Sequence, residues 1–197
     1  MISLRQKQII EKAIQLIAEQ GIQSLTIKNL AHSLFLSEPA LYRHFKNKRD
    51  ILCTLITHYQ NEIDRQISRI PPQSNILKTI ELQFLTGLNY FHSQPALVSI
   101  AYSEEAFHYD PIIRQKLAEV SQARHSDLTE LLVQGQRDKL IRDDVPADHL
   151  ATLILGTMRF IYTDWKLRDY SFNLIKKGKS ALHHTLTLIR RESSPNQ

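Results

Sequence analysis

A chain of 197 residues, 42% of them apolar, is long enough for one sizeable hydrophobic core or two modest ones. Its single cysteine, Cys53, excludes an internal disulfide, its five scattered glycines leave no phosphate-cradling loop, and no stretch approaches the roughly 18–20 apolar residues of a membrane span. Basic residues outnumber acidic ones by 25 to 20, and residues 1–60 hold eight Lys and Arg against four acids, which is +4 of the net +5.

The opening MISLRQKQIIEK is charged within its first turns and has no signal-like apolar block, so a cytoplasmic location is expected. A positive leading segment on a near-neutral remainder suits a head that binds polyanions. A charge of this size also fits an ordinary solvated surface, so charge alone does not decide.

The pattern along the chain is all-α. From Leu4 to Gln20, Ile9, Ile10, Ala13, Leu16 and Ile17 recur at three- and four-residue steps and form one stripe, and Gly21 supplies the stop. Thr26 can cap a second short helix whose inner side is Ile27, Leu30, Ala31 and Leu34. Ser37 is a second cap, with Glu38 where the helix dipole favours an acid and Pro39 where no amide is yet needed, so a third helix runs from Ser37 to about Phe45. Lys46-Asn47-Lys48-Arg49-Asp50 opens a longer helix with Ile51, Leu52, Leu55, Ile56 and Tyr59 inward, ended by Pro71-Pro72. Further helices are expected over Ile76–His92, Pro95–Phe107, Pro111–Leu140, Ala147–Arg168 and Leu174–Arg191.

These elements are expected to divide into a head over residues 1–47, a connecting helix over 48–72, a helical body over 73–192, and a disordered tail over 193–197.

The third helix is short and carries few apolar residues. On a helical wheel Leu41 and Phe45 share one side, Pro39 and Arg43 lie opposite, and Ala40, Tyr42 and His44 flank them. Two short helices joined by a tight turn, the second offering Arg, Tyr and His, make a helix-turn-helix reader. Its second helix fits the major groove, which is about 12 Å wide.

The segment TIKNLAHSLFLSEPALYRHFKNKRDIL, Thr26 to Leu52, resembles the DNA-binding signature of the TetR family of bacterial transcriptional regulators, most specifically in L-Y-x-H-F-x-x-K. The resemblance implies that Thr26, Tyr42, His44 and Lys48 hold phosphates, with the Ser37 cap beside them. It also implies that Lys28, Glu38, Pro39, Ala40 and Arg43 face base edges or the adjacent backbone. Arg43 is the candidate for a bidentate bond to guanine, and Glu38 serves either a cytosine amine or its own helix dipole. The family usually has glycine in the turn where this chain has Phe35, a substitution that costs about 1 kcal/mol if the backbone there is left-handed.

Two helices of the body are apolar on two sides. Their faces Leu150, Ile154, Thr157, Ile161 and Ile175, Gly178, Leu182, Leu186 are expected to form a four-helix dimer interface, with a monomeric core as the alternative. The second side of Ala147–Arg168 carries Leu153, Gly156, Phe160 and Leu167.

The resemblance further implies release from a near-palindromic operator when a small molecule of unknown identity fills the body. The candidate pocket residues are Phe84, Phe91, Tyr102, Phe107, His108, Arg159, Tyr162 and Trp165. Arg159, set between Met158 and Phe160, requires an anionic partner if buried, either a ligand or Glu104, Glu105 or Asp164. Glu104, His108 and His92 are too weak a set to imply a metal, and no cofactor is expected. The competing function keeps the DNA head but uses the body to bind a protein, as in the nucleoid-occlusion branch of the family. Nothing in the sequence recommends an enzyme.

Overall fold

The computed structural model describes residues 2–102, 107 and 110–191. Its helices are α1 (Leu4–Gln20), α2 (Ile27–Ser33), α3 (Glu38–Tyr42), α4 (Lys48–Ile67), α5 (Ile76–Ser93), α6 (Ala96–Ala101), α7 (Pro111–Arg137), α8 (Ala147–Leu167) and α9 (Leu174–Ile189). None of the described helices is long and apolar enough to cross a membrane. The chain forms two compact units, one of residues 1–62 and 94–118, the other of residues 63–93 and 119–197.

In the first unit, α1 begins at a reciprocal cap. The Ser3 hydroxyl accepts from the Gln6 amide at 3.1 Å, and the Gln6 side-chain oxygen accepts from the Ser3 amide at 2.9 Å. The helix ends at Gly21, whose φ of +77° carries the chain off the helix axis. The whole stripe from Ile9 to Ile17 is buried, as its spacing predicts. Thr26 caps α2 through the Asn29 amide at 3.0 Å, and the Asn29 side chain donates to the Ser24 carbonyl at 2.8 Å, tying the cap to the preceding turn. Ile51, Leu52, Leu55, Ile56 and Tyr59 of α4 are buried. The short α6, with Ala96, Leu97, Val98 and Ile100 buried, packs on α1.

In the second unit, α9 packs against both α5 and α8. Gly178 makes the first contact possible, because a β-carbon there would lie 2.5 Å from Cδ2 of the fully buried Leu88. Leu150, Ala151, Ile154, Met158, Ile161, Tyr162 and Trp165 form the inner face of α8. Trp165 donates to the Phe172 carbonyl at 2.9 Å and meets Tyr170 edge-on at 4.8 Å, closing the turn into α9.

Asp164 joins α8 to α9 by accepting from Lys177 at 2.7 Å and from Arg168 at 2.8 Å. The hydrogen bond from Lys177, followed by that from Arg168, holds its carboxyl below the ordinary carboxylate range. A carboxylate whose pKa is lower folded than unfolded stabilises the fold above the unfolded pKa, and that contribution is lost as pH falls through the folded pKa. Asp164→Asn is therefore expected to flatten the acid limb of the stability curve in denaturant titrations between neutral and acidic pH. An acid limb that matches the parent's removes the role.

Several boundaries differ from the sequence reading. The third helix spans five residues because the Leu41 carbonyl accepts from both His44, at 2.9 Å, and Phe45, at 3.1 Å, which tightens the last turn. α6 ends at Ala101 and α7 at Arg137. The expected disordered tail lies outside the described residues.

The expected dimer face needs a larger correction. Leu150, Ile154, Ile161, Gly178, Leu182 and Leu186 are buried within the single chain, and Thr157 and Ile175 are half-buried. Those residues hold α8 and α9 in the core. The apolar residues left outside are Leu153, Phe160 and Leu167 of α8 and Leu188 of α9, with Gly156 exposed among them.

Candidate nucleic-acid interface

Leu41 is fully buried and Phe45 nearly so, which fixes α3 from behind. The Gln6 side-chain amide donates to the His44 carbonyl at 3.1 Å, so α1 secures the end of the reader. Nothing in the sequence marks that bond, which spans 38 residues. Ser37 caps α3 through the Ala40 amide at 3.3 Å.

With its back held, α3 leaves its polar residues outward, and polar residues at the starts of α2 and α4 are also accessible. Thr26, Lys28, Ser37, Glu38, Pro39, Tyr42 and Arg43 are exposed, and Ala40, His44 and Lys48 are half-buried. Tyr42 is 50% exposed, so its ring lies outside the core. Arg43 keeps helical backbone angles just past α3. All ten residues named from the sequence thus retain free surface.

Phe35 takes the left-handed conformation the turn requires, with φ +53°. Its amide donates to the His32 carbonyl at 3.1 Å and the Leu36 amide to the Ala31 carbonyl at 2.9 Å. That is the paired closure with which helices commonly end on glycine. The turn is built in the usual way despite the phenylalanine, and the ring is left 98% exposed.

Lys48 opens α4 beside a groove of about 420 Å³ lined by Ile22, Gln23, Asn47, Arg49, Leu52, Phe107, Asp110 and Ile113. Partial burial pushes the Lys48 ammonium below its ordinary pKa. Its neighbour Arg49 pairs with Asp110 at 2.7 Å, and Asp110 also accepts from the Ile112 and Ile113 amides, capping α7. Burial by itself would raise the Asp110 carboxyl; the Arg49 and Ile113 hydrogen bonds outweigh it and hold the carboxyl low. Burial first, then the nearby charge of Asp110, pushes the Cys53 thiol up, so it stays protonated. A cap at Asp110 is legible from the Asp-Pro pair, but its partner 61 residues away is not.

The candidate effector residues are divided between the two compact units. Phe84, Phe91, Tyr162 and Trp165 belong to the second unit, where Phe91 and Tyr162 rings lie 4.9 Å apart and His92 stacks on Trp165 at 6.0 Å. Tyr102 and Phe107 belong to the first unit, and His108 lies outside the described residues. Arg159 is exposed, so the requirement of a buried anion for it does not arise; Asp164 is engaged with Lys177 and Arg168 instead. No group of three or more His, Cys, Asp or Glu side chains among the described residues could hold a metal ion, and Glu104 and Glu105 lie outside them.

Residues 9–53 match the family model described as bacterial regulatory proteins, tetR family, and residues 56–188 match that of the YsiA-like protein, C-terminal region. The chain belongs to the TetR family. Like the other members it is a DNA-binding transcriptional regulator with a helix-turn-helix head. It is similar to the fatty acid metabolism regulator protein of Bacillus subtilis, 24% identical over 176 residues that cover 89% of this chain and 90% of that one. The fold matches the fatty acid degradation regulator FadR of Bacillus halodurans, with a TM-score of 0.83 at 20% identity over 94% of this chain and 96% of the other. It also matches FadR of Bacillus subtilis in complex with stearoyl-CoA, with a TM-score of 0.77 at 22% identity over 93% and 98%.

Proposed function

We propose that this TetR-family regulator is a cytoplasmic dimeric repressor that binds a near-palindromic operator and leaves it when a fatty acyl thioester enters the body. The observation that carries the DNA half is the reader itself, with Leu41 and Phe45 buried behind a front of Thr26, Lys28, Glu38, Tyr42 and Arg43. In this reading Arg43 and Lys28 address bases, while Thr26, Tyr42, His44 and Lys48 hold phosphates. Half-buried Lys48 keeps enough free surface to meet a phosphate oxygen.

The effector class follows the stearoyl-CoA bound by the Bacillus subtilis FadR. It is supported here by α5, where seven consecutive residues, Glu81 to Gly87, are all half-buried. A helix lying on a filled core alternates buried and exposed positions. Between its buried ends, α5 has no fully buried position over these seven residues, and Leu82, Phe84 and Leu85 there offer an alkyl chain apolar surface. The chain passes from α5 through Gln94-Pro95 straight into α6, which is compacted with the reader, and the Arg49–Asp110 pair fastens the start of α7 to α4. Movement of residues 94–118 would thereby be carried to α4 and the reader.

The dimer is proposed to form across Leu153, Gly156, Phe160 and Leu188, the free side of α8 and α9, so that two copies make a four-helix contact. The whole reading is tested by selecting duplexes from fragmented genomic DNA and titrating the complex with stearoyl-CoA. Release by the acyl thioester but not by coenzyme A alone is the expected result. Retention of no fragment at low salt removes the DNA reading, and release by neither compound removes the effector class.

A further inference from the structure

We infer that Phe35 is a duplex-contacting residue, its ring resting on the apolar rim of the major groove, an inference that builds on the DNA reading above. The turn imposes a left-handed backbone on Phe35, a conformation that disfavours a β-carbon, and it leaves the ring 98% exposed. Two other helices end with the same paired closure on residues other than glycine, α7 on Lys139 and α8 on Asp169. Both of those side chains are well solvated by water. Among the described residues, only at Phe35 does this closure combine backbone strain with a large apolar group in solvent, and the fold gains nothing from either.

The compensation is therefore sought outside the chain, and the position indicates where. Phe35 stands two residues before Ser37, the cap of α3, and three before Glu38, which begins the exposed front. A reader helix enters the groove with its leading residues toward the bases, so the turn delivering it sits at the groove's edge. Two apolar surfaces are available there, the C5 methyl of thymine and the face of a deoxyribose.

The test uses the full-length protein and a duplex that the parent selects from genomic fragments, with affinity read by fluorescence anisotropy across a salt series. Phe35→Gly is expected to melt no lower than the parent, since it relieves the backbone. It is also expected to bind roughly ten- to a hundredfold more weakly, the scale of returning most of a phenylalanine side chain to water. Its salt dependence should match the parent's, because an apolar contact releases no counterions. Phe35→Asn, which tolerates the left-handed turn, should reproduce the loss. Replacing thymine by deoxyuridine distinguishes the two surfaces: a penalty larger for the parent than for Phe35→Gly places the ring on a methyl, and equal penalties place it on a sugar. Parent-like affinity in both variants, whether or not self-association changes, overturns the inference, and so does a lowered melting temperature, which would mean the ring serves the fold. If the parent itself binds no duplex, the failure belongs to the DNA reading.

Discussion

Arg43→Ala is expected to relax sequence preference at one base pair in each half-site while leaving the rest of the operator read as before. The guanidinium stands just beyond α3 on helical backbone and is exposed, on an element whose opposite side is locked by Leu41 and Phe45. A bidentate bond to guanine discriminates by about 1–3 kcal/mol, so the ratio of cognate to altered duplex at that position should fall roughly ten- to a hundredfold. Lys48→Ala should behave differently. Lys48 is half-buried at the start of α4, among the residues that line the groove with Asn47 and Arg49, where its ammonium can meet a phosphate but carries no information about sequence. Affinity should drop for cognate and unrelated duplexes alike, and the slope of log affinity against log salt should become shallower by about one phosphate contact. A binding-site selection on each variant, repeated at several salt concentrations, separates the two effects. If Arg43→Ala weakens all duplexes equally, the arginine belongs with the phosphate contacts and another side chain does the reading.

Local chemistry made the head legible from sequence. Gly21 stops α1, Thr26 and Ser37 cap, and Leu41 and Phe45 share a side; each of these is decided by residues within one or two turns. What was not legible depends on distant partners. The Gln6 bond to the His44 carbonyl and the Arg49–Asp110 pair have no local signature. The grouping of α6 with the reader was hidden for the same reason, since Pro71-Pro72 reads as a boundary while the compact unit containing α1–α3 takes in residues 94–118. In the body, periodicity showed that α8 and α9 are apolar on two sides, but not which side the chain itself would cover. Gly178 shows why that choice needs the fold: small residues suit a contact between copies and a contact within one chain equally well. Only the position of Leu88 tells them apart.

Phe160→Glu is expected to convert the proposed dimer to a monomer. Phe160 is 66% exposed in the single chain, on the same side of α8 as Leu153, Gly156 and Leu167, so a carboxylate there costs the folded protomer little. Across a two-fold axis the substitution appears twice in one contact, taking two like charges out of water where two rings had been. Light scattering should therefore report one chain where the parent gives two, with the helical circular dichroism and melting profile retained. A monomer also loses the advantage of engaging two half-sites at once, which commonly contributes roughly 10²–10⁴ to apparent affinity, so operator binding should fall by that order. Gly178→Trp would not serve as the same test. A side chain there runs into Leu88 between α5 and α9, so it would unfold the body instead of separating one copy from the other. A parent that is itself monomeric would remove the dimer. A Phe160→Glu protein that remains a dimer would move the interface off this side of α8 and leave Leu153 and Phe160 to some other partner.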